Sequence, residues 1–141
     1  MRYLGLDLGS RTLGCAISDR NGVFARTYTI IRHNEEYDRL IKEVEKIVEE
    51  EKIEAIVLGL PKNMNNTIGP KGELSKQFKI KLEEATKLPV YLQDERLTTK
   101  QAQDILISND TSRIKRKKVI DSMAACIILQ SYLDKENSNG R

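Results

Sequence analysis

Three acidic segments, each closing or following a hydrophobic run, constrain this chain most. They are Asp7 in YLGLDLGS, the Asp94-Glu95 pair in YLQDERLTT, and Asp121 in KRKKVIDSMAACIILQ. The first two read as strand ends and the third lies on a helix. A fold that gathers them must therefore bring two strand termini and a helix to one sheet edge. Like charges held close together raise one another's pKa values, and a divalent cation is the usual remedy. Carboxylate-bound Mg2+ or Mn2+ beside a basic surface suits hydrolysis of phosphodiester bonds.

The hydrophobic pattern supplies the elements. Tyr3 to Leu8 reads as a buried strand, Gly9-Ser10 as a turn, and Thr12 to Ser18 as a second strand. Asn21-Gly22 is a hairpin signal, which predicts a third strand from about Val23 to Ile31. Asn34 suits an N-cap, with Glu35 and Glu36 in the first turn of a helix. Leu40, Ile41, Val44, Ile47 and Val48 then recur at helical spacing. The run IEAIVLGL, Ile53 to Leu60, looks like a strand buried on both faces. A polar loop from Lys62 to Gly72 precedes a helix over Glu73 to Lys87, and a short strand spans Val90 to Gln93. Thr98, with Gln101 three residues on, has the spacing of a capping box. A last helix runs from about Lys115 to Leu133, and the tail from about residue 135 to 141 reads as frayed.

The order βββαβαβαα predicts a mixed sheet with helices on its faces. Right-handed crossovers set the strands ending at Leu8, Leu60 and Gln93 parallel, so their carboxyl ends share the edge where open α/β sheets bind ligands.

Composition narrows the chemistry. At 141 residues the chain is one domain by the usual size prior. No apolar stretch approaches the ~20 residues of a membrane helix, and the N-terminus enters a strand without a signal-peptide pattern. Cys15 and Cys126 stand apart and form no CxxC, as buried thiols in a reducing cytoplasm do. With a single histidine, His33, there is no zinc site, and any metal is held by oxygen. Net charge is only +3, but Arg113, Lys115, Arg116, Lys117 and Lys118 crowd into six positions leading into Asp121. That run can be a solvated face or a phosphate-binding one, and its continuity with Asp121 points to the second.

Element order and carboxylates together resemble the ribonuclease H-like fold: a mixed five-stranded sheet, antiparallel meander then parallel strands, with helices on both faces. Four motifs narrow the resemblance to the YqgF/RuvX family of Holliday-junction resolvases and pre-ribosomal RNA nucleases. They are GLDLGSRTLGCAISD, GLPKNM at Gly59 to Met64, DERLTT at Asp94 to Thr99, and KRKKVIDSMAACIILQSYL. They span nearly the whole chain in the family's order. One departure is Asn65-Asn66-Thr67, where the family reads Asp/Asn-Gly-Thr. It bears on that loop's contact with substrate and leaves the carboxylates untouched.

The expected site follows. Asp7 shares a strand face with Tyr3, Gly5 and Gly9, and the two glycines are expected to clear space beside it. Adjacent strand residues point to opposite faces, so only one of Asp94 and Glu95 reaches a metal directly. The resemblance assigns Glu95 and leaves Asp94 as the alternative ligand or as a partner of Arg96. Asp7, Glu95 and Asp121 would then hold one or two Mg2+ or Mn2+ ions, ~3.5–4 Å apart if two. Arg11, Asn63, Asn65, Arg96 and Thr99, with the basic run from Arg113 to Lys118, are candidates for contact with nucleic acid. The resemblance implies a cytoplasmic monomer or homodimer that acts on a structured RNA precursor, in maturation of the 5′ end of pre-16S rRNA, or on branched DNA as a junction resolvase. Two rivals share the scaffold: a nucleic-acid-binding or transcription factor without turnover, and an actin-like phosphotransferase suggested by DLGSRT, which would need a second domain.

Overall fold

A computed structural model describes residues 1–61, 68–94 and 113–139, with the backbone path alone for 113–122 and 138–139. Strands β1 (Tyr3–Leu8), β2 (Thr12–Ser18) and β3 (Ala25–Arg32) form an antiparallel meander. β4 (Ala55–Leu60) lies parallel to β1, and β5 (Val90–Asp94) lies parallel to β4. The sheet order is β3-β2-β1-β4-β5, with β1 in the centre. Helices α1 (Tyr37–Glu51), α2 (Pro70–Thr86) and α3 (Arg113–Asn139) complete the described elements. The helix expected after Thr98 lies outside the described residues. No described helix is long and apolar enough to cross a membrane.

The sheet divides two cores. Leu4, Leu6, Ile56, Leu58 and Val90 pack with Leu40, Ile41, Val44 and Ile47 of α1 and Phe78 and Leu82 of α2. On the other face Ala16 and Val57 pack with Ala125, Ile128, Leu129, Tyr132 and Leu133 of α3. All six residues of β4 are buried, in keeping with its unbroken apolar run.

α2 begins at Pro70 rather than Glu73, since proline suits the first position of a helix, and three other boundaries move for identifiable reasons. β3 begins at Ala25 rather than near Val23 because the Asp19 carboxylate accepts the backbone N–H groups of Val23 (2.8 Å) and Phe24 (3.0 Å). Those amides are thereby withdrawn from the β2–β3 ladder, and the hairpin becomes a wider loop with Gly22 at φ 67°. The N-cap of α1 is Glu36, not Asn34. Glu35 sits at φ 69°, in the left-handed region, so no helix can run through it, and the Asn34 side chain accepts from Arg11 instead. The expected frayed tail is helical as far as Asn139. There Asn137 Nδ2 donates to Gly22 O at 3.1 Å, and Gln130 ties the same helix to Ala25 N (2.8 Å) and Val23 O (2.9 Å).

Candidate active site at the carboxyl edge of the sheet

β1, β4 and β5 run the same way, so their carboxyl ends meet at one edge. Leu6 pairs with Leu58, Leu58 with Leu92, and Leu60 with Asp94. The β1–β4 pairing stops at Leu6–Leu58, and Asp7 therefore stands where the two central strands part. Diverging strands at a carboxyl edge leave the crevice in which α/β sheets bind ligands.

Alternation decides which face each residue serves. Leu4 and Leu6 belong to the α1/α2 core, so Gly5 and Asp7 face α3. Val90 and Leu92 also face α1 and α2, whereas the Tyr91 ring stacks on Tyr132 of α3 at 5.4 Å. In the same alternation Asp94 falls on the α1/α2 side, away from Asp7. Asp7 is half-buried, and directly across the ladder from it stands Gly14, which presents no side chain.

Gly5 has a different role from the one expected. A Cβ there would meet Leu129 Cβ at 2.7 Å and the Ala125 carbonyl oxygen at 3.1 Å. Gly5 lets α3 press onto the centre of the sheet, helped by fully buried Ala125, and does not open space for a ligand. Gly9 serves the β1–β2 turn, where its N–H donates to Thr12 O at 2.8 Å. The small residue beside Asp7 is Gly14.

The register of α3 on β1 runs in the opposite sense to the strand. Tyr132 meets the Tyr3 ring at 5.8 Å, and Ala125 and Leu129 lie over Gly5. Gly5 to Asp7 is about 6.6 Å of strand, and one turn of helix is about 5.4 Å. The turn before Ala125, which carries Asp121, thus comes level with Asp7. The run from Arg113 to Lys118 occupies the first two turns of α3, within ~12 Å of Asp121 along the axis.

Of the other expected residues, Glu95, Arg96, Thr99, Asn63 and Asn65 lie outside the described residues, as does the Asn65-Asn66-Thr67 departure. The side chains of Asp121, Arg113, Lys115, Arg116, Lys117 and Lys118 do as well. Arg11 is exposed on the β1–β2 turn and donates from Nη1 to Asn34 Oδ1. No cluster of three His, Cys, Asp or Glu side chains occurs among the described residues. The nitrogen and sulfur donors are engaged elsewhere. His33 accepts the Glu35 N–H at Nδ1 (3.0 Å) and contacts Gly9 O through Nε2 (3.0 Å). Cys15 is buried in the α1/α2 core, where burial pushes its thiol up to about 12. A carboxylate donor set such as Asp7 begins suits a hard divalent ion.

His33 and Asn34 are the residues the sequence left without a role at this edge. Their partners lie 24 and 23 residues away, beyond any local motif.

Comparison with known proteins fits this geometry. The profile of the family described as RuvX, Holliday junction resolvase, matches residues 1–135. A protein of Geobacillus kaustophilus named "Putative pre-16S rRNA nuclease" is 53% identical over 135 residues, covering 95% of this chain and 98% of that protein. Its namesake in Bacillus subtilis is 52% identical over 138 residues, covering 97% and 100%. Among solved structures, T. thermophilus RuvC in complex with a Holliday junction substrate aligns with a TM-score of 0.58 at 16% identity, covering 98% of this chain and 97% of that one. A ROK hexokinase from Thermus thermophilus aligns at 0.50 and 24% identity over 73% of this chain and only 38% of its own. These last two likenesses are of fold. The sheet is that of the ribonuclease H-like proteins.

Proposed function

The chain belongs to the RuvX family, and we propose that it cuts structured RNA at a divalent-metal site formed by Asp7, Glu95 and Asp121, with 5′-end maturation of pre-16S rRNA as its task. Resolvases and rRNA nucleases both hydrolyse phosphodiester bonds, so the chain is a hydrolase of that bond. The choice of RNA over branched DNA follows the relatives' names. Maturation of rRNA sets the work in the cytoplasm.

The observation that carries the reading is the register of α3 on β1. Gly5 and Ala125 hold the helix close, and the turn carrying Asp121 stands over the face on which Asp7 lies. A cation held between carboxylates at these two positions would offset the repulsion that like charges at close range otherwise raise. What supports Glu95 over Asp94 is that Asp94 stands in step with Leu92, on the α1/α2 side of the sheet and away from Asp7.

Residues in this reading have separate tasks. Asp7, Glu95 and Asp121 hold Mg2+ or Mn2+, which when bound supplies charge neutralisation at the phosphate and lowers the pKa of the attacking water. The basic run from Arg113 to Lys118 grips the flanking backbone, and Arg11 stands on the turn that follows Asp7. No described Ser/His or Cys/His pair is positioned as a nucleophile, and in-line attack by water requires none.

The test is cleavage of labelled precursor rRNA, linear duplex and four-way junction by the purified protein with Mn2+ or EDTA. Cleavage of precursor rRNA that EDTA abolishes is the expected result. Preference for the four-way junction would transfer the site to branched DNA, which demands a symmetric pair of active sites and hence a dimer during turnover. Tight binding of all three without cleavage would leave a nucleic-acid-binding protein. Within the DER motif, Glu95→Gln should abolish single-turnover cleavage, while Asp94→Asn should cost about 10- to 100-fold, as loss of a supporting group does. The reverse ranking would exchange the two acids, and normal cleavage by both variants would move the third carboxylate elsewhere.

A further inference from the structure

The turn that follows Asp7 is held from an unexpected direction. Gly9, Ser10 and Arg11 join β1 to β2, and the connection between β3 and α1 is fastened onto them by three bonds. His33 Nε2 lies 3.0 Å from Gly9 O, His33 N donates to Arg11 O at 2.9 Å, and Arg11 Nη1 donates to Asn34 Oδ1. The proton position on the ring is set by its partners. The Glu35 N–H donates to Nδ1, so Nδ1 is bare and Nε2 carries the hydrogen that Gly9 O accepts.

This arrangement is built rather than incidental. His33 is only 7% exposed, a polar ring with both nitrogens satisfied. Its ring packs on Tyr37 at 6.0 Å, and Tyr37 in turn meets Phe78 of the α1/α2 core edge-on at 6.3 Å. Glu35 adopts φ 69° to present its N–H to Nδ1. A left-handed conformation at a non-glycine residue is disfavoured and persists only where its surroundings enforce it. Strain, burial and two saturated nitrogens thus converge on one carbonyl, that of Gly9, two residues beyond Asp7.

We propose that His33 is a positioning residue for the reacting edge: it clamps the Gly9–Arg11 turn to the α1 side of the sheet and so fixes the end of β1 that bears Asp7. The role rests on the reading of Asp7 as part of the reacting edge. His33 touches no reacting atom; it acts through the Gly9 carbonyl. The carboxylate must be held to within a fraction of an ångström for catalysis, and the β1–β4 ladder ends one residue too early to do so from that side.

Two substitutions separate the two ring nitrogens. His33→Gln carries an N–H donor near the place of Nε2 and can still reach Gly9 O. His33→Asn carries an acceptor near the place of Nδ1, serves Glu35, and falls short of Gly9. With Mn2+ saturating and the RNA that the native protein cleaves, His33→Asn should lose about 10- to 100-fold in single-turnover rate, the usual cost of an outer supporting partner, with RNA affinity unchanged. His33→Gln should restore most of that rate. Hydrogen exchange at the amides of Gly9 to Thr12 should quicken in His33→Asn and stay slow in His33→Gln, with or without metal. If His33→Asn does not fold, His33→Phe keeps the ring against Tyr37, drops both hydrogen bonds, and carries the same expectation. Native rate in the variant that lacks the Gly9 bond, or equal impairment and equal exchange in His33→Gln and His33→Asn, would overturn the clamp. The exchange measurement does so independently of the nuclease reading, which fails only if the native protein itself cleaves nothing.

Discussion

On the side of α1 and α2 the sheet presents leucines, isoleucines and a valine, almost wholly withdrawn from water and packed against Phe78 and Leu82 of α2. On the side of α3 it presents Gly5, Ala16 and Val57 to a single helix whose contact surface centres on Ala125 and Leu129. The first face gains stability from large side chains that fill volume. The second gives up volume so that a helix backbone can approach within van der Waals distance of the central strand. Small residues bury less apolar surface and so stabilise less, but they fix where the helix lies, and on this helix stands Asp121. One face thus holds the molecule together and the other sets where α3 lies on the central strand.

The sharpest way to break this division is at Asp7. Asp7→Asn keeps the volume and removes one charge, so the fold should survive while cleavage falls by about a thousandfold or more, the equivalent of ~4 kcal/mol of transition-state stabilisation. If the proposed site of Asp7, Glu95 and Asp121 forms, the thermal midpoint without metal should hold or rise as a repulsion is lost, and the added stability from Mn2+ should shrink. Calorimetry with and without Mn2+, beside single-turnover kinetics, checks both halves. Full activity in Asp7→Asn would remove the central strand from the chemistry.

A paired substitution sharpens the contrast between faces. Leu58→Ala removes a fully buried side chain from the α1/α2 core and should cost about 2–5 kcal/mol of stability. Its activity, measured well below the midpoint, should stay near native because α3 is undisturbed. Gly5→Ala puts a methyl group 2.7 Å from Leu129 Cβ, which costs ~1–3 kcal/mol where the core must shift to admit it. That smaller loss should carry the larger fall in cleavage rate, since the helix bearing Asp121 is displaced. Urea midpoints and single-turnover rates on both variants decide it. Proportional losses of stability and rate in the two would mean the faces share one role.

How far the sequence led depends on the length scale of each interaction. The five strands, their direction and the sheet edge followed from short-range signals: IEAIVLGL for the doubly buried strand, Leu4-Leu6 alternation for the central one. Gly5 has a neighbour that the sequence does not announce, because nothing in YLGLD says that a helix from residue 125 onwards will rest on it. The displacement of the α1 cap from Asn34 to Glu36 is of the same kind. Asn34 has the composition of a cap, but its side chain is drawn off by Arg11 from the β1–β2 turn. Periodicity reports local structure well, and a competing partner twenty residues away is invisible to it.

The basic turns of α3 offer a weaker perturbation, expected to act on binding alone. Replacing Lys115, Arg116, Lys117 and Lys118 by Ala should weaken RNA binding and flatten its salt dependence, by about 0.7 to 0.9 in the log–log slope for each phosphate no longer neutralised. The α1/α2 face carries mixed charge, with Lys81 paired to Asp38 at 3.3 Å and Lys79 to Glu83 at 3.1 Å. Removing Lys79 and Lys81 should leave the slope as it was. Titration at several salt concentrations makes the comparison. An unchanged slope in the four-residue variant would make the run on α3 a solvated face.

The smallest expected effect lies in the hairpin that α3 secures through Gln130 and Asn137. Asp19 accepts the N–H groups of Phe24 and Val23, and these bonds hold its carboxyl below the usual 3.8, the Phe24 bond contributing most. A group whose pKa is lower folded than unfolded adds stability above its unfolded value and loses it as the pH falls through the folded one. The contribution of Asp19 should therefore be complete at about pH 6 and fade below about pH 4. Because the carboxylate is exposed, solvent screening keeps the effect small. Asp19→Asn retains an oxygen that can accept but removes the charge, so its midpoint should sit slightly below native at about pH 6 and converge with it as the pH falls through the folded value of Asp19. Glu36, held low mainly by the Asn34 N–H before α1, should give Glu36→Gln the same acid dependence. The two differ in reach. Loosening the β2–β3 hairpin frees the end of α3 and should quicken amide exchange at Gly22 and Ala25, whereas loosening the turn before α1 should not. Equal exchange at those two amides in Asp19→Asn and the native protein would show that α3 holds the hairpin without help from the carboxylate.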